Sequence, residues 1–116
     1  MSKKRRDKDF VDDIKEAIEM IGLYTKGLTY KDFLQDRKTQ DAVVRNFEII
    51  GEASKNISVG FKAKYSDIPW KIIAGLRDKL IHFYFGIDYK IVWNITKKEL
   101  PKFKKQINSI LKSELK

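Results

Sequence analysis

The stretch TQDAVVRNFEIIGEASKN, residues 39 to 56, limits the fold more than any other part of the chain. Read as a helix at about 100° per residue, it puts Val43, Phe47, Ile50 and Ser54 on one stripe and Ala42, Ile49 and Ala53 on a second. A helix with two apolar stripes needs neighbours on two sides, so this segment predicts the central helix of a bundle. Arg45, Glu48 and Glu52 stand at spacings of three, four and seven and therefore share one face. That row reads either as solvated ion pairs or as a polar network supporting a site or an interface.

The flanking sequence supplies the neighbours. Phe10, Ile14, Ala17, Ile18 and Ile21 recur at helical spacing and predict a helix over about 9–24, ended by Gly27. Thr29 followed by Asp32 has the spacing of a capping box and opens a short helix through Phe33 and Leu34. Residues 57 to 68 read as a loop with one helical turn near 61–65. Pro69 starts a further helix, expected to reach Phe85 and stop at Gly86. Asp88 caps the next, which carries Ile91, Val92 and Ile95. Pro101 should kink or restart it before the amphipathic tail of Phe103, Ile107, Ile110 and Leu111. With 2 Pro and 6 Gly in 116 residues, the pattern is all-α and of single-domain size. The basic residues 1–8 form an N-terminal arm, expected to be flexible, ahead of a helical domain over 9–116.

Composition narrows the chemistry. The chain has no Cys, which removes disulfides, thiolate nucleophiles and thiolate metal sites, and a single His argues against a His-built metal centre. No cofactor is called for. Apolar runs are too short to span a membrane, and the basic N-terminus lacks the apolar core of a secretory signal, so a cytoplasmic protein is expected. The net charge of +9 fits a polyanionic partner such as nucleic acid, or simply a soluble lysine-rich surface.

The one histidine, His82, lies in RDKLIHFYFG. On a continuous helix Ile72, Leu76, Leu80 and Phe83 would form the core stripe, with Ile73 beside it. Arg77 and Tyr84 would nearly eclipse each other, and Asp78 and His82 would share another face. Ile81 and Phe85 would then form a second apolar strip between those polar pairs, to be covered either by a second copy of the chain or by its own last helix. Asp78 would accept a ring N–H from His82, and the helix C-terminus would favour the imidazolium. Arg77 supplies a permanent cation with fork geometry for phosphate, and Tyr84 adds a hydroxyl. The set suits phosphodiester cleavage, with the imidazole moving a proton and the guanidinium stabilising charge on the phosphorane.

Arg77-x4-His82-x-Tyr84 resembles the signature of the HEPN superfamily, in the form of its HepT branch, the toxin half of HepT–MntA toxin–antitoxin pairs. The likeness extends through DIKEAIEMIGLYTKG, FLQDRKTQDAV, DAVVRNFEIIGEASKNIS, DIPWKIIAGLRDKLIHFYFGID and IVWNITKKELP, nearly the whole chain after residue 8. It departs at Gly22, where a charged helix former is more usual, and in the strongly basic N-terminus. The resemblance implies an antiparallel helical bundle that forms a homodimer with a composite cleft, and metal-independent ribonuclease activity on mRNA or tRNA. It makes Arg77 and His82 the catalytic pair, Asp78 and Tyr84 supporting residues, and Tyr84 the tyrosine to which a MntA-like nucleotidyltransferase antitoxin adds AMP. Two other functions fit the chain: a catalytically inert dimer that binds a nucleotidyltransferase, and an RNA binder using the lysine-rich stretch from Lys97 to Lys116.

Overall fold

The computed structural model describes residues 5–82 and 86–114, with the backbone alone at residue 82. The elements are α1 (Asp7–Thr25), α2 (Tyr30–Leu34), α3 (Arg37–Asn56), α4 (Val59–Lys64), α5 (Trp70–Ala74), α6 (Leu76–Leu80), β1 (Ile81–His82), β2 (Gly86–Ile87), α7 (Tyr89–Asn94), a π-helical turn (Ile95–Glu99) and α8 (Leu100–Glu114).

The start signals act where the sequence places them. Thr29 Oγ1 accepts the Asp32 N–H while the Asp32 carboxylate accepts the Thr29 N–H, completing the capping box of α2. Asp88 Oδ1 accepts from the N–H groups of Lys90 and Ile91 at the head of α7. The central helix begins at Arg37, two residues before Thr39, because Asp36 caps it by accepting both the N–H and the hydroxyl of Thr39. That hydroxyl holds the Asp36 carboxyl below the ordinary carboxylate value.

α3 is the centre of the bundle. α1 packs along one side and the α5–α6 corner against another, and both expected stripes contribute buried residues, Val43, Phe47 and Ile50 from one and Ala53 from the other. Asp7 accepts the N–H and hydroxyl of Ser58, each at 2.7 Å. This ties the first turn of α1 to Ser58, two residues past the end of α3, so the two long helices run antiparallel. α8 packs on α1 through a face that buries Phe103, Ile107 and Ile110. Phe33, fully buried, meets Trp93 at 5.2 Å and Tyr89 at 6.2 Å between ring centres, fastening α2 to α7.

The helix expected from Pro69 to Phe85 is not continuous. It breaks at Gly75 and its second piece, α6, ends at Leu80. Ile81 turns extended, with φ −111° and ψ 116°, and the chain enters a short antiparallel ladder pairing Ile81 with Ile87 and His82 with Gly86. Ile81 is β-branched, a residue type that favours extended backbone, and Gly86 adopts φ +73°, a left-handed conformation suited to glycine. The break also re-aims α5: Ile72, expected in the core, is 59% exposed, while Ile73, Leu76 and Leu80 are buried. Among the described residues no helix is long and apolar enough to cross a membrane.

Candidate functional site

The ladder changes how the site can be assembled. Asp78 is exposed on α6 and His82 lies beyond the helix end, so the helical relation expected between them does not exist. Nor does the helical strip of Ile81 and Phe85, because Ile81 is half-buried on β1. The backbone of His82 is set by its pairing with Gly86. The His82 side chain, Phe83, Tyr84 and Phe85 lie outside the described residues.

Arg77 points away from the core, with its side chain 62% exposed, and its Nε lies 3.8 Å from Glu48 Oε2 on α3. The neighbouring backbone explains that meeting. An added Cβ at Gly51 would sit 3.4 Å from the Ile73 carbonyl oxygen and 3.6 Å from that of Ala74. Glycine therefore lets the α5–α6 corner lie close on α3. Three residues back along α3 from Gly51 is Glu48, and three residues on from Ala74 is Arg77.

The meeting forms a cleft of about 270 Å³ lined by Arg45, Glu48, Gly51, Glu52, Lys55, Ala74 and Arg77. The row of Arg45, Glu48 and Glu52 is thus brought to Arg77 as one wall of a shared cleft. Lys55 joins the same wall; it stands three residues after Glu52 and seven after Glu48, so the same helical spacing places it there. Three cations face two carboxylates, an excess of one positive charge that a single phosphodiester would neutralise. A larger cleft of about 460 Å³, with aliphatic walls that include Ile72 and Leu76, contains neither Arg77 nor the row.

A family model described as "Ribonuclease HepT-like" matches residues 14–110. The chain is similar to "Probable ribonuclease HepT" of Thermococcus cleftensis, 49% identical over 109 residues that cover 94% of this chain and 99% of the relative. It is also similar to a "Putative RNase" of Methanocaldococcus jannaschii, 48% identical over 103 residues, 89% of this chain and 85% of that one. Another "Putative RNase", from Caldanaerobacter subterraneus, is 45% identical over 105 residues, 90% and 94% respectively. No solved structure matches the chain.

Proposed function

Because the chain belongs to the HepT-like ribonuclease family, we propose that it is an endoribonuclease that cleaves RNA with Arg77 and His82 and requires no metal. The observation that carries this reading is the position of Arg77: a largely exposed guanidinium on the rim of a polar cleft, five residues before the only histidine. In the reaction the ribose 2′-oxygen attacks the adjacent phosphorus and the bond from phosphorus to the 5′-oxygen breaks. The 2′-hydroxyl proton leaves to a base and the departing oxygen gains one. His82 moves one of these protons, and Arg77 stabilises the extra charge of the phosphorane. The products are a 2′,3′-cyclic phosphate and a 5′-hydroxyl.

Two copies of the chain form the working cleft, in the cytoplasm. The protein acts as the toxin of a pair whose antitoxin, a nucleotidyltransferase, silences it by adding AMP to Tyr84. Asp78 supports the site.

The test is RNA cleavage in the presence of excess EDTA. Cyclic-phosphate ends are expected from the parent, and no cleavage from His82→Ala or Arg77→Ala at unchanged helical content. Full activity in either variant, or loss of cleavage on chelation, refutes the mechanism. A parent that binds RNA in a salt-dependent manner without cutting it points instead to an inert binder. A cognate nucleotidyltransferase with ATP should add mass in AMP units to the parent and none to Tyr84→Phe; addition to the variant removes Tyr84 from the scheme. Sedimentation that finds only monomer at every concentration removes the shared cleft.

A further inference from the structure

The geometry points to Glu48 as the positioning residue of Arg77, an inference that rests on the reading of Arg77 as catalytic. Glu48 is half-buried on α3, its side chain 34% exposed, and it meets the guanidinium at Nε, at 3.8 Å, across the line of closest approach between α3 and the α5–α6 corner. The attachment point matters. A guanidinium carries five N–H donors in a rigid plane, one at Nε and two on each terminal nitrogen. A carboxylate standing on the Nε side, at ion-pair rather than hydrogen-bond distance, draws that edge of the guanidinium toward α3 and biases the turn of the plane. The terminal nitrogens remain free for the paired hydrogen bonds that suit a phosphate.

Stability is a poor explanation for the pair. Ion pairs this exposed contribute little to folding, and Arg77 has open solvent on its outer side. What the contact does change is freedom. A long side chain on a five-residue helix has many rotamers, and an arginine that must meet a phosphorane gains from being held before the substrate arrives. Glu48 itself is held in place, because α3 is a twenty-residue helix packed on two sides. Arg45 and Lys55 line the same cleft and offset the negative charge that Glu48 would otherwise present to RNA.

Two readouts test this, one of them independent of cleavage. In the full-length protein the Arg77 Nε–H resonance, assigned by its loss in Arg77→Lys, should be shifted from the free-arginine position in the parent. It should return toward that position in Glu48→Ala and stay near the parent in Glu48→Gln, whose amide oxygen occupies the same place on the Nε side. In single-turnover cleavage of an RNA oligonucleotide, Glu48→Ala should lower the rate constant by about 10-fold to 100-fold, with affinity for the oligonucleotide within about twofold of the parent. Glu48→Gln should recover most of that loss. In the Arg77→Lys background the same Glu48→Ala change should cost less than about twofold, because the group it acts through is gone. An unmoved Arg77 resonance in Glu48→Ala overturns the proposal. So does an equal fractional loss in both backgrounds, the mark of a merely structural role. If the parent does not cleave RNA, the catalytic reading fails by itself, and the resonance alone decides whether Glu48 sets the guanidinium.

Discussion

Two glycine-to-alanine changes measure how closely the site helix rests on its support. Gly22 lies within α1 and Gly51 within α3. In a helix interior Ala is better than Gly by roughly 0.8–1.0 kcal/mol. At Gly22 an added Cβ meets nothing within 4 Å, so Gly22→Ala should show that whole gain, about 1 kcal/mol, or roughly 4 °C in melting temperature for a chain of this size. At Gly51 the added Cβ stands 3.4 Å and 3.6 Å from two carbonyl oxygens. These are ordinary contacts without overlap, so the helical gain should survive in part and Gly51→Ala should be stabilising by between zero and about 1 kcal/mol. A branched side chain there has no such room: Gly51→Leu must push the α5–α6 corner off α3 and should cost about 1–3 kcal/mol. The assay is urea denaturation followed by circular dichroism, at one protein concentration so that any self-association cancels. Destabilisation by Gly51→Ala of more than about 1 kcal/mol would mean that the helices touch more tightly than 3.4 Å allows. An unchanged midpoint for Gly22→Ala would refute the propensity argument itself.

Phe33→Ala removes a fully buried ring that also faces Trp93 and Tyr89; it should cost about 3–5 kcal/mol, and a loss under about 1 kcal/mol in the same denaturation assay would show that α2 does not help hold α7. Glu114 on α8 accepts from the Tyr65 hydroxyl and from Lys64 Nζ, and these two donors, Tyr65 foremost, hold its carboxyl below the ordinary 4.5. A lowered folded-state value means the clamp is fully present above the ordinary value and is lost as pH falls through the lowered one. Amide exchange in the last turn of α8 should therefore quicken on acidification relative to mid-helix amides, and Glu114→Gln should abolish that pH dependence.

Signals carried by neighbouring residues were legible in the sequence. The Thr29–Asp32 box, the Asp88 cap and the two-sided burial of α3 all rest on spacings within a few residues, and all are present. The segment through His82 departs from the expected helix because its apolar residues satisfy a helical period while Ile81 and the aromatic residues after it in sequence favour strand, and periodicity alone does not arbitrate a short run. Gly86, expected as the glycine that stops a helix, instead serves the ladder, because the helix already ends at Leu80. The face shared by Arg45, Glu48 and Glu52 was visible. Its meeting with Arg77 was not, because it depends on how closely two segments some thirty residues apart pack at Gly51.

The π-helical turn from Ile95 to Glu99 carries one residue more per turn than the helices it joins. It stands just ahead of Pro101, whose ring nitrogen cannot donate to the carbonyl four positions earlier. That surplus residue works as a phase shift. Trp93 can turn toward Phe33 while Phe103, Ile107 and Ile110 still point inward. The segment should therefore tolerate changes of identity at its exposed Lys97, Lys98 and Glu99 far better than a change of length. Inserting a further residue into a turn that already holds its surplus would rotate everything downstream by about 100°, turning the lysines of α8 inward and its apolar face out to water.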